Sequence, residues 1–235
     1  MIEQFDARSE RMAVPGLRFR MPTPGPESDM VSAFLASLKL LVPRGHHVTV
    51  LREPHLPSGV PDVVVVVWRP SVTSKWSASR LSLTATDYRL VHLLSTTGAQ
   101  TTLSLTEVYS SCILDSVERL ASAGMVVERN GMLRAVSPRQ TCATRYVVAL
   151  EAKTRVRRAL VEQASAHRWF ANESYAVVPT GQNRPAWSVT ARRLGVEFLP
   201  SDTQRLDLSG VGLRTRPLSY ATWQLGDWAW RLSSS

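Results

Sequence analysis

Residues 146–160 read YVVALEAKTRVRRAL, an apolar run that turns basic, and at the turn Glu151 and Lys153 flank a single alanine. Side chains two apart on a strand project from the same face, so the acid and the amine point together while Ala152 faces the other way. Such a pair at the end of a buried strand is either an ion pair or part of a site. A second acid brought to the same place decides between the two.

Downstream of this stretch the pattern predicts a basic helix over about 155–171, a strand SYAVVP at 174–179, a connection containing RPAWSVTARRL at 184–194 and a strand GVEFLPS at 195–201. Upstream, ESDMVSAFLASLKLLVP at 27–43 places Met30, Phe34, Leu38 and Leu41 on one helical stripe, with Ser28 or Asp29 as cap and Pro43 as stop. HHVTVLRE at 46–53 alternates like a half-buried strand, and the five valines of VPDVVVVVW at 60–68 suit a strand covered on both faces. Helices alternating with apolar strands imply an α/β sheet with parallel elements. Residues 1–26, with PGLRFRMPTPGP at 15–26, read as an extended arm, the ordered fold starting after it.

Between the two strand-bearing blocks the character changes. TATDYRLVHLLSTTG at 84–98, SLTEVYS at 104–110 and SCILDSVERLASAG at 111–124 predict three helices, the last stopped by Gly124. MVVERNGMLRAV at 125–136 predicts a hairpin turning at Asn130-Gly131. Three helices followed by a two-stranded wing resemble a winged helix-turn-helix spanning about 81–138. The tail YATWQLGDWAWRL at 220–232 carries Trp223, Trp228 and Trp230 as packing residues that close the fold.

The chain has 235 residues, 44% of them hydrophobic, enough for one sizeable core or two small ones. No apolar run approaches the roughly 20 residues of a membrane span, and the start MIEQFDARSERM is too polar for a secretory signal, so a cytoplasmic protein is expected. Cys112 and Cys142 lie too far apart for paired zinc-ligand spacing and read as reduced thiols. The formal charge of +9 favours a polyanionic partner, nucleic acid first.

Set side by side, the two strand-bearing blocks carry Pro61-Asp62 on one strand and Glu151-Ala152-Lys153 on another, 89 positions later. In this the chain resembles the restriction-endonuclease-like PD-(D/E)XK nuclease superfamily over about 28–70 and 144–200. The resemblance implies a mixed sheet flanked by helices, interrupted by the winged-helix insertion. The domains would be an arm at 1–26, a discontinuous nuclease-like domain at 27–80 and 139–235, and the insertion at 81–138. It further implies phosphodiester hydrolysis of DNA with Mg²⁺ or Mn²⁺, in a prokaryotic or phage setting of restriction, defence or repair. Asp62 and Glu151 would bind the metal, adjacent strands lying about 4.8 Å apart, and Lys153 would serve the attacking water. An acid on the first helix is expected too, with Glu27 preferred to Asp29 and Glu53 as a third candidate. Gln163 takes the place of a glutamine found in several of these families, while His167 stands where a tyrosine often follows it.

Lys153, Arg155, Arg157, Arg158 and Arg168 form a basic cluster suited to a DNA backbone, or else a solvated helix face. Within 81–138 acids outnumber bases by one, and the third helix offers Asp115 and Glu118 with Arg119 alone, so base readout there is doubtful. A protein partner for the wing is nearly as well supported, although Arg129 and Arg134 beside the turn suit phosphate. The rival to a nuclease is a non-catalytic DNA-binding or scaffold protein that uses the winged helix as its working surface. RNA as substrate and a homodimer both stay open.

Overall fold

The five valines become the centre of a six-stranded sheet, because a β-branched run without turn residues packs well on a pleated surface. Val63 to Val67 are each 1% exposed or less. The computed structural model describes residues 2–9, 14–109, 113–182, 185–209 and 217–234.

In chain order the elements are β1 (Ile2–Phe5), α1 (Pro26–Ser37), β2 (Lys39–Leu41), β3 (His47–Arg52) and β4 (Val63–Trp68). Then come α2 (Pro70–Thr73), α3 (Ala85–Thr97), β5 (Gln100–Thr101), α4 (Thr102–Tyr109), α5 (Ile113–Ser122), β6 (Val126–Arg129), β7 (Met132–Ala135) and α6 (Pro138–Thr141). β8 (Thr144–Ala152), α7 (Arg158–Ala166), β9 (Glu173–Val178), α8 (Pro185–Arg193), β10 (Val196–Pro200), β11 (Arg205–Asp207) and α9 (Tyr220–Ser233) follow. Short 3₁₀ turns occupy Ala78–Ser82 and His167–Trp169.

The main sheet has the order β1-β3-β4-β8-β9-β10 and is mixed. β1 lies parallel to β3, and β8, β9 and β10 are mutually parallel. β4 runs against β8: Arg69, just past the end of β4, donates to the Ala143 carbonyl before β8, while Asp62, before β4, meets Ala152 at the end of β8. Val63, Val65 and Val67 join Tyr146, Val148, Leu150 and Ala152 in a core with Val31 and Phe34 of α1. A second core sets Leu160, Val161 and Ala164 of α7 and Ala191 of α8 against Ala176 and Val178 of β9. The mixed α/β sheet flanked by helices agrees with the pattern of the sequence.

The chain divides into two compact units, one of residues 1–10, 18–67 and 146–213, the other of 11–17, 68–145 and 214–235. The second is wider than the stretch 81–138 marked by composition. Its C-terminal helix α9 supplies Trp223 to the core of Tyr88, Leu90, Val91, Leu94, Ile113 and Leu120. α9 also brings Asp227 to Arg80 at 2.6 Å and to the Tyr88 hydroxyl at 2.6 Å, all three fully buried. The second unit carries a three-stranded sheet, β5-β7-β6, and the β6–β7 turn is the one expected: Asn130 at φ 52° and Gly131 at φ 70° give the left-handed pair that a tight hairpin needs.

Three expectations need correction. The first helix stops at Ser37, not before Pro43, because Lys39–Leu41 pairs in parallel with Arg205–Asp207 and buries Leu40 beside Leu206. The arm is not wholly extended and unpaired: Ile2–Phe5 forms the edge strand beside β3 and buries Phe5. The basic helix begins at Arg158 and ends at Ala166, so Arg155 and Arg157 lie in the loop before it and Arg168 in the turn after it. The cluster is thus not one helix face. Cys142 is buried without a disulfide, as read, and Cys112 lies outside the described residues. No described helix is long and apolar enough to cross a membrane.

Candidate active site

The alternation along β8 fixes which way its acid points. Tyr146, Val148, Leu150 and Ala152 face the α1 core, so Glu151 and Lys153 project to the opposite face. The same alternation on β4, carried back one residue from Val63, puts Asp62 on the Glu151 side. The antiparallel pairing of β4 and β8 then brings the start of one strand to the end of the other. Asp62 Oδ2 accepts the backbone N–H of Ala152 at 2.7 Å, midway between Glu151 and Lys153.

Around this point the groups alternate in charge. Lys153 Nζ lies 3.1 Å from Glu27 Oε2, in the first turn of α1, and 3.7 Å from Glu151 Oε1. Glu151 Oε2 in turn lies 3.3 Å from His167 Nε2, and His167 Nδ1 lies 3.2 Å from Ser58 Oγ. On the other side Arg20 Nε donates to Glu53 Oε2 at 2.5 Å, and its Nη2 lies 3.8 Å from Asp62 Oδ1.

Burial sets the electrostatics. The Asp62 carboxyl is pushed up to about 6, first by loss of water, then by the Glu151 charge; the Ala152 N–H and Lys153 only partly offset this. For Lys153 burial pulls downward, but Asp62, the hydrogen bond to Glu27 and the Glu151 charge outweigh it, and the amine titrates above its ordinary range. Arg20 is raised as well, chiefly by its bond to Glu53. Glu53 holds a left-handed backbone, φ 53°, uncommon for a residue with a side chain. Hydrogen bonds on both sides keep it there: Glu53 N donates to the Asp62 carbonyl at 3.0 Å, and Arg20 N donates to the Glu53 carbonyl at 2.9 Å. Backbone held this way in a sparsely populated region is typical of functional sites.

Beside Lys153 opens a pocket of about 620 Å³ lined by Glu27, Thr154, Arg155, Arg157 and Gln163 among others. Arg155 and Arg157 also border an adjoining pocket with Gly181 and Gln182. Asp62, Glu151, Lys153, Glu27 and Gln163 are therefore gathered in one region. Arg158 and Arg168 are otherwise engaged, the first with Glu162 at 2.7 Å and the second with the Asn172 carbonyl at 3.1 Å. Arg129 and Arg134 are exposed on β6 and β7 in the second unit.

Sequence reasoning missed three members. Arg20 sat in a stretch read as featureless arm, Ser58 in a turn, and His167 counted only as the absence of a tyrosine. The four-residue spacing of Gln163 and His167 was the single available hint. Among the described residues no three His, Cys, Asp or Glu side chains converge as a ready metal-ligand group. The donor chemistry nonetheless fits a hard divalent cation: two buried carboxylates facing the same way, one with its proton affinity raised by burial and then by the other's charge, are relieved by an ion that keeps several waters. No protein-family model, curated protein or solved structure matches the chain.

Proposed function

We propose that the first unit is a metal-dependent nuclease of the PD-(D/E)XK kind that hydrolyses phosphodiester bonds of DNA, with the second unit as a winged-helix module. The observation that carries the reading is the Asp62–Ala152 hydrogen bond, which sets a buried acid against the Glu151-Ala152-Lys153 segment. Asp62 and Glu151 would hold Mg²⁺ or Mn²⁺. When bound, the ion supplies a Lewis acid at the scissile phosphate and a water of lowered pKa. Lys153, kept protonated by the carboxylates around it, orients the attacking water and balances the charge that grows on the phosphate. Glu27 holds the Lys153 ammonium from the helix side. Arg155 and Arg157, exposed at the pocket rim, place the flanking backbone.

The test is cleavage of plasmid, linear duplex, single-stranded DNA and labelled RNA in Mg²⁺, Mn²⁺ or EDTA, comparing the native chain with Asp62→Asn, Glu151→Gln and Lys153→Met. Metal-dependent cutting that falls at least about 100-fold in each folded variant is expected. No cutting by the native chain, or equal cutting by the variants, overturns the proposal. One observation favours a second reading, a non-catalytic DNA-binding or scaffold protein: Arg20 pairs with Glu53 and lies 3.8 Å from Asp62, so a side-chain cation serves these acids. Binding of DNA in EDTA with no cutting in any metal decides for that reading.

A further inference from the structure

His167 is 2% exposed, and both of its ring nitrogens face polar partners on different elements. Nε2 lies 3.3 Å from Glu151 Oε2 at the end of β8. Nδ1 lies 3.2 Å from Ser58 Oγ, in the loop that joins β3 to β4 and ends at Asp62. With Glu151 ionised, Nε2 carries the proton and donates to the carboxylate, and Nδ1 accepts from the Ser58 hydroxyl. The other Glu151 oxygen is left facing the Lys153 ammonium. One oxygen is thus held from behind and one presented to the front. Phe170 packs against the imidazole with ring centroids 5.8 Å apart, which restricts its rotation.

We propose that His167 is a positioning residue of the candidate active site: its imidazole fixes the orientation of the Glu151 carboxylate, and Ser58 fixes the imidazole. The inference rests on the metal-dependent reading above and adds to it a polar clamp between the Asp62 loop and the Glu151 strand. Any buried imidazole needs a partner for each ring nitrogen, so the identity of the partners carries the argument. Here the two nitrogens join the two chain segments that carry the acids. Partners that orient a ligating carboxylate in this way typically contribute 10- to 100-fold to metal affinity.

The test measures Mn²⁺ binding without DNA, by the electron paramagnetic resonance of the free ion, alongside metal-free DNA binding in EDTA and thermal melting. His167→Phe keeps the ring and removes both nitrogens; Mn²⁺ affinity is expected to fall about 10- to 100-fold with metal-free DNA binding unchanged. His167→Gln, which retains a donor toward Glu151, restores most of the loss, and Ser58→Ala loses a smaller part. Native affinity in folded His167→Phe overturns the inference, as does a parallel fall of Mn²⁺ and DNA binding in both His167 variants. Should His167→Phe fail to fold, unchanged Mn²⁺ affinity in Ser58→Ala overturns it instead. Failure of the native chain to take up Mn²⁺ removes the metal reading itself, and the clamp with it.

Discussion

Asp62 accepts the backbone N–H of Ala152 at 2.7 Å, a contact between residues 90 positions apart that makes the end of β8 and the start of β4 one place. A carboxyl buried there beside Glu151 keeps its proton up to about pH 6, against 3.8 in the unfolded chain.

The folded state therefore binds the proton more tightly than the unfolded state, and stability falls as pH rises from about 4 to 6, the full cost of about 3 kcal/mol applying above that range. Asp62→Asn keeps an oxygen for the Ala152 N–H and removes the buried charge. In metal-free buffer the variant should melt higher than the native chain at pH 8, the difference vanishing near pH 4. Mn²⁺ should raise the melting temperature of the native chain more than that of the variant. Melting curves across pH, with and without Mn²⁺, check both statements.

Arg20→Gln withdraws the guanidinium from Glu53 and from the neighbourhood of Asp62. Arg20 is half exposed, so the loss is smaller than for a fully buried pair, about 1–2 kcal/mol at pH 8. Glu53 and Asp62 then lose one of the two cations beside the acids, Lys153 being left, and Mn²⁺ should stabilise this variant more than it stabilises the native chain. A Mn²⁺ titration followed by thermal melting reads the difference directly.

Arg155 and Arg157 border two adjoining pockets and are exposed. Replacing both with Gln should weaken duplex binding and lower the slope of log affinity against log salt by about 2, with stability within about 0.5 kcal/mol of native. An unchanged slope would remove these residues from the backbone track. Fluorescence anisotropy at several salt concentrations is sufficient.

Gly226, inside α9, lies where a Cβ would come 2.6 Å from Thr144 Oγ1 and 3.3 Å from Thr144 N. Alanine ordinarily gains about 1 kcal/mol over glycine in a helix. At this position overpacking should reverse the sign, so that Gly226→Ala costs about 1–3 kcal/mol. Thr144 Oγ1 is held by the Thr222 carbonyl at 2.9 Å and has little room to retreat. Urea unfolding measures the outcome.

Local periodicity made Val63–Val67, the Glu151–Lys153 face and the Asn130-Gly131 turn legible, since each is decided by residues next to one another in the chain. What stayed hidden depends on distant partners. Leu38 and Leu41 continue a helical stripe on paper, yet the backbone of Lys39–Leu41 pairs with Arg205–Asp207, 166 positions away, and the pairing wins. Ile2–Phe5 becomes a strand only because β3 offers an edge. The shared face of Asp62, Glu151 and Lys153 was readable from motif and alternation, whereas Arg20, Ser58 and His167 reach the candidate site through turns that no spacing rule predicts. The C-terminal helix was legible as a packing element, but its buried tie to Arg80 and Tyr88 was not, because a charge in an apolar core is recognisable only with its counter-charge in view.

That tie has a kinetic side. Arg80 precedes Asp227 by 147 positions. At about 5–20 residues added per second, it waits roughly 7–30 s on the ribosome before its carboxylate exists. During that interval Arg80 has no Asp227 to pair with, and the second unit lacks the Trp223 that α9 adds to its core. The second unit can therefore close its core only after α9 has been made.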